Sequence, residues 1–281
     1  GNLTLNADMT VRGRLYVSGQ IIATGFKFDC DGDVIAIGGA NVTGSLLAST
    51  IRGNLYSGAA WTWKNTAVTR PVFRVNGNML LYNHTGTGSP QNLNMGGDTV
   101  ANVGTAGCSL VVGGNLTCAA IAMAGASSGT CSGGLGGQII VNGNLYCSGT
   151  LTTSGANGST TGSGGNPGTI TVGGSSSVSS SVSTTGGNAA GTGSGGNGVG
   201  HTFNGSFHCG SSFNGQGGTA ATSGNGGGGS AISCRSNLSI VGKFDASGQV
   251  GLGAAGQGGN GGSFLIVGSC TVGQSGGSLL C

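Results

Sequence analysis

Short apolar–polar–apolar triplets, separated by Gly, Ser and Asn, set the hydrophobic pattern of this chain; long amphipathic runs are missing. In Leu145-Tyr146-Cys147 the alternation reads in, out, in, which is strand periodicity. The surrounding phrase, at positions 138–149, returns at 169–175, 203–210 and 234–241 in one register, with a period of about 31 residues. Upstream, Val112-Gly113-Gly114-Asn115-Leu116-Thr117-Cys118 places its Asn about 30 residues before Asn144, and positions 263–267 form the last unit. Arg12-Gly13-Arg14-Leu15-Tyr16-Val17 and Arg52-Gly53-Asn54-Leu55-Tyr56-Ser57 carry the same phrase less regularly. One inward slot is filled in turn by Cys118, Cys147, Val178, Cys209 and Ile240. Small or β-branched residues at a fixed period are what a stacked core row requires. Helix-forming composition is missing, with no Glu, few Lys, and Gly or Ser every few positions. The pattern predicts an all-β fold, a parallel β-helix or β-solenoid with about one coil per ~30-residue repeat.

Between the strand phrases lie glycine-rich returns, such as 155–159, 193–198 and 224–229. Read alone they resemble flexible linkers. Because they recur at fixed register, a solenoid gathers them on one side, where Gly lets backbones approach closely. They are expected to stack as extended, polyglycine-II-like segments hydrogen-bonded to their neighbours. The first hundred residues differ, holding seven of the nine Lys and Arg and both Trp, whereas residues 99–234 contain no Asp, Glu, Lys or Arg. This shift predicts an irregular β-rich head over residues 1–100 and a glycine-rich solenoid over 101–281.

Composition narrows the function classes. Gly fills 66 of 281 positions against a usual share of about 7%. Pro occurs only 3 times and no Gly-X-Y period exists, which excludes collagen. A net charge of +3 spread over the chain offers no nucleic-acid patch. No apolar run reaches the ~18 residues of a membrane span. The chain opens on Gly1, as a processed form or a fragment would. Nine Cys without C-x-x-C spacing fit an oxidising, extracellular setting, and the odd count makes Cys281 a candidate for an intersubunit disulfide. The alternative is that several, Cys118 and Cys147 among them, are small buried hydrophobes. Seven N-x-S/T sequons, at Asn2, Asn41, Asn83, Asn115, Asn157, Asn204 and Asn237, are uninformative in so Asn-, Ser- and Thr-rich a chain.

Candidate chemistry is sparse. Asp29, Asp31 and Asp33 alternate as in part of a calcium loop, but the chain has no Glu to complete one, and a polar turn is the competing reading. Calcium is thus the only cofactor the sequence suggests. His84, His201 and His208 lack the partners of a metal or nucleophile site, and no glycine run leads into a helix that would hold a phosphate. No enzyme is expected. Trp61 and Trp63, with Tyr56, Phe73, Lys64, Arg70 and Arg74 nearby, form an aromatic cluster suited to a subunit interface or solenoid cap, or to stacking on a glycan.

The run Gly143-Asn144-Leu145-Tyr146-Cys147-Ser148-Gly149-Thr150-Leu151-Thr152-Thr153-Ser154-Gly155 resembles glycine-rich β-solenoids of secreted surface proteins and of phage tail fibres. The resemblance is compositional and carries no catalytic residues. It implies an extracellular or cell-surface location, or a virion tail fibre. The leading expectation is a structural subunit of an extracellular filament, sheath or surface assembly whose main partner is itself, joined head to tail by strand addition. A second is an adhesin that touches a host receptor or glycan through glycine-rich loop tips. A third, ice binding by Thr150, Thr152 and Thr153, suffers because Thr does not recur at one register.

Overall fold

A computed structural model describes residues 1–82, 88–127, 129, 131–251, 256–273 and 279–280. The chain opens with three short strands, β1 (Leu3–Leu5), β2 (Met9–Val11) and β3 (Leu15–Val17). Strand β4 (Ile21–Thr24) then lies parallel on β1 with Leu3 opposite Ile21, and the cycle starts again. Among the described residues the outcome is one 11-stranded and two 10-stranded sheets, each strand bonded to those three elements before and after it. This is a parallel β-solenoid with three strands per coil, and the described residues contain no helix. The short strand follows from the triplet pattern: two inward side chains flank one outward, as in Leu145 and Cys147 around Tyr146.

Coil length changes along the stack. Leu3, Ile21, Ala40 and Trp61 pair in succession, so an early coil takes roughly 20 residues. Ile121, Leu151, Val182, Phe213 and Phe244 also pair in succession, and there a coil takes roughly 30 residues. Residues 1–100 are therefore not an irregular head, because their strands belong to the same three sheets as those beyond. The shift in composition near residue 100 accompanies a longer coil. The expected irregularity came from a shorter period, to which a template cut to the later repeat is blind.

The added residues leave the barrel after each first-sheet strand and come back before the next second-sheet strand. Outgoing and returning segments then alternate as one hydrogen-bonded layer. The N–H of Gly165 donates to Ala156 O, Gly187 to Gly165 O, Gly196 to Gly187 O, Gly218 to Gly196 O and Gly227 to Gly218 O, each at 2.8 Å. Like segments also bond to like in the next coil, Gly155 N–H to Thr185 O and Gly164 N–H to Ser194 O, both at 2.9 Å. The third residue of each outgoing triplet, Asn157 or Asn188, faces solvent. Three successive residues thus address three directions, the threefold symmetry of a polyglycine-II-like chain. Glycine is required by proximity: a Cβ on Gly187 would stand 1.8 Å from Ala156 O, and one on Gly164 would stand 1.7 Å from Gly187 O.

Inside the barrel, apolar residues stack in columns. The expected row is present, with Cys118 opposite Cys147, Cys147 opposite Val178, Val178 opposite Cys209 and Cys209 opposite Ile240. All five are fully buried. Volume is balanced between coils. Trp61 and Trp63 rest on Ala40 and Val42, while Phe207 rests on Ser176, whose buried hydroxyl has no partner. Aromatic rings thicken the far half, where Phe203 and Phe207 stack at 4.1 Å and Phe213 and Phe244 at 5.1 Å.

Candidate interaction surfaces

Several side chains singled out for chemistry are engaged in holding coils together. Asp29 projects from the second sheet, accepting the Thr50 N–H at 2.9 Å and pairing with Lys27 at 2.7 Å. Asp31 pairs with Arg52 at 3.5 Å and Asp33 with Arg14 at 3.4 Å. The Asp33 carboxyl also accepts the backbone and side-chain N–H groups of Asn54, at 2.8 and 3.1 Å. The backbone bond from Asn54 is the main influence that lowers its pKa. The three carboxylates are divided among separate partners, and among the described residues no group of three His, Cys, Asp or Glu forms a cation site. The calcium-loop reading is corrected accordingly, since strand pairing separates residues that a compact loop would bring together.

Asp33 also opens a ladder at the corner between the second and third sheets. Each side-chain Oδ1 accepts the backbone N–H one coil further on: Asp33 from Asn54, Asn54 from Asn78, Asn78 from Asn115, Asn115 from Asn144 and Asn144 from Ser175, all at 2.8 Å. The Gly-Asn-Leu phrase is the signature of this corner. Its glycine fits beneath the ladder, for a Cβ on Gly143 would lie 2.5 Å from Asn115 Oδ1. The recurrence of Asn was visible in the sequence, but its side-chain role was not drawn from it.

Trp61 and Trp63 are core residues, 0% and 1% exposed, with rings parallel at 6.0 Å and packed on Phe73. They stand at positions i and i+2 of one strand and so share its inward face. The interface and glycan readings of these two rings are therefore corrected. Lys64 of the same cluster pairs with Asp98 at 3.7 Å, and Arg70 donates to Pro167 O at 3.4 Å.

The other histidine and cysteine expectations resolve similarly. His201 occupies an inward slot of the second sheet opposite Ile232, and its Nδ1 accepts the Ile170 N–H at 3.2 Å. Burial pushes its pKa down to about 3, so the ring is neutral, and Nε2 has no partner. His208 lies on the outer face of the third sheet beside Ser239, so the two imidazoles do not converge. Cys30, Cys108, Cys118, Cys147, Cys209 and Cys234 are buried thiols. Burial drives Cys108 up to about 12, and a hydrogen bond with Cys147, reinforced by burial, raises Cys118. Small thiols fit the crowded inward slots and donate weakly to nearby carbonyls, as Cys147 does to Ala119 O at 3.1 Å. Cys118 and Cys147 accordingly sit as the small buried hydrophobes that the sequence offered as the alternative. Cys281 and His84 lie outside the described residues. Thr153 is buried and donates to Gly168 O at 3.0 Å, so it displays nothing to a surface. The column through Thr152 runs Thr62, Asn94, Ala122, Thr152, Ser183, Asn214, Asp245, so no two Thr are neighbours in it.

Three surfaces remain open. Among the described residues, strands β1 to β3 pair on one side only, with Leu3, Met9, Val11 and Leu15 half-buried, and Phe264, Ile266 and Val272 are half-buried too. On the third sheet the outward column Tyr16, Ile35, Tyr56, Leu80 is flanked from Ile35 onward by a groove of about 310 Å³, lined also by Gly58 and Tyr82. The glycine layer, finally, presents exposed Asn, Ser, Thr and Gln on both faces. No family model, curated protein or solved structure matches the chain.

Proposed function

We propose that this chain is a non-enzymatic structural subunit of an extracellular filament, sheath or other surface assembly, its copies adding end to end by continuing the strand stack. The observation that carries the reading is the chemistry of the first coil. Among the described residues its strands β1 to β3 pair on one side only, and its apolar columns are half covered at Leu3, Met9, Val11 and Leu15. A further parallel coil satisfies both the open backbone groups and the apolar columns at once. The low charge of the chain suits it, since close-packed copies repel one another little. Sedimentation of the purified chain and negative-stain microscopy test the reading. Wild type is expected to form concentration-dependent linear oligomers, and Val11→Lys, which sets a charge on the open column, is expected to stop them. A wild type that stays monomeric at high concentration without reductant overturns it.

A receptor-binding adhesin, on a cell surface or a virion fibre, is the second reading. Support comes from the tips where outgoing segments turn back: Thr160 and Thr161, Thr192, and Ala221 to Ser223 are exposed in successive coils. Exchange of these tips that abolishes cell binding without altering the fold would favour it over the polymer.

A further inference from the structure

On the returning face of the glycine layer, Gly228 is less crowded than the glycines inside the layer. Where most glycines inside the layer would bring a Cβ within about 2.5 Å of neighbouring backbone, a Cβ on Gly228 would meet nothing nearer than Asn260 O at 3.3 Å. Its φ is not left-handed either. Gly228 continues a column of exposed asparagines, Asn166 and Asn197, and the missing side chain leaves a groove of about 390 Å³ lined by Ser194, Asn197, Asn225, Gln257 and Asn260.

The wall chemistry is uniform. Asn197 Oδ1 accepts the Gly228 N–H and Asn225 Oδ1 accepts the Gln257 N–H, each at 3.0 Å. With their oxygens engaged, both carboxamides have NH₂ donors without a partner among the described residues. The side chains of Gln257 and Asn260 make no hydrogen bond among the described residues. Part of the backbone is engaged, for Gly226 and Gly229 donate to Gln257 O and Asn260 O at 2.8 Å. Neither Lys nor Arg lines the groove, so a phosphate or sulfate gains no ion pair, and no apolar side chain does, so a hydrophobic partner gains no burial. What remains is a neutral row of carboxamides and hydroxyls, repeating every coil at ~4.8 Å, close to the rise of one ring along an extended sugar chain.

We propose that this groove is a binding site for a neutral polysaccharide chain, one ring seated over Gly228 and its hydroxyls paired with the carboxamides of Asn197, Asn225, Gln257 and Asn260. The site does not depend on end-to-end assembly, so it is measured on the Val11→Lys chain as well as on wild type. The probes are a β-1,4-linked glucose hexasaccharide, its N-acetylglucosamine counterpart and a sulfated hexasaccharide, followed by saturation-transfer NMR and titration calorimetry. At least one neutral probe binds, and Gly228→Asn, which fills the groove, weakens it by about tenfold or more with an unchanged melting curve. Should that variant melt early, Asn225→Ala, which adds no atoms, is expected to weaken binding likewise. The proposal is overturned if neither neutral probe gives a transfer signal, if both variants bind as wild type does, or if the sulfated probe binds best in a salt-sensitive manner.

Discussion

Replacing Gly187 by alanine tests the claim that the layer is held by backbone proximity. The new methyl would stand 1.8 Å from Ala156 O and 2.4 Å from its carbonyl carbon. Relief requires the two outgoing segments to part by roughly an ångström or more, since a Cβ needs about 3.5 Å from such atoms. That movement strains the bonds Gly187 N–H to Gly165 O, Gly196 N–H to Gly187 O and Gly165 N–H to Ala156 O, now 2.8 Å each. Leaving two or three buried polar groups unpaired costs roughly 1–3 kcal/mol apiece. Alanine offsets about 0.4–1 kcal/mol by restricting the unfolded chain. The expected net loss is on the order of 1–8 kcal/mol. Guanidinium unfolding followed by circular dichroism measures it, with hydrogen exchange at Gly165, Gly187 and Gly196 reporting the local opening. Gly258→Ala is the control, because its Cβ would meet only Gln249 O at 3.8 Å. A Gly187→Ala chain that unfolds within about 0.5 kcal/mol of wild type, with those amides still protected, would refute the reasoning.

Two further outcomes follow from buried groups. An unfolded His201 takes up a proton near its ordinary value of 6.5, whereas the folded ring does so only near 3. Stability is therefore complete above pH 6.5 and falls as pH drops toward 3, by about 1.4 kcal/mol per unit. Thus roughly 3 kcal/mol is lost by about pH 4. His201→Ile, matching Ile232 in its column, removes this slope, and parallel pH–stability curves for the two chains would sink the account. Thiol labelling with iodoacetamide under native conditions is expected to reach exposed Cys270 and to spare Cys118, Cys147 and Cys209 until denaturant is added. Labelling of Cys147 in the native chain at the Cys270 rate would contradict its place in the core.

The fold was legible because the Leu-Tyr-Cys triplet and its regular recurrence carry both strand alternation and stacking register. Cys147, Val178, Cys209 and Ile240 share a column for that reason. The first hundred positions were misread because their shorter coils, built on the same triplets, lack the excursion that makes the later repeat conspicuous. Surface chemistry was harder to read. Trp61 and Trp63 look like a binding platform to a reader who counts aromatics, and only the small partners Ala40 and Val42 in the previous coil make room for them inside. The Asp29, Asp31 and Asp33 spacing suggested a cation because adjacency in sequence was taken for adjacency of oxygens, while pairing hands each carboxylate a different neighbour. The groove at Gly228 had no sequence signal at all. In a glycine tract, a glycine with room around it looks like all the others.

The glycine layer bears on how this molecule responds to temperature. Unfolding it uncovers peptide groups with few apolar side chains, and exposed polar surface lowers heat capacity by about 0.26 cal/mol/K per Å² where apolar surface raises it by about 0.45. The layer thus flattens the curve of free energy against temperature. Its cohesion does not fade on chilling as oil-like burial does, and the threshold for cold unfolding moves further below freezing.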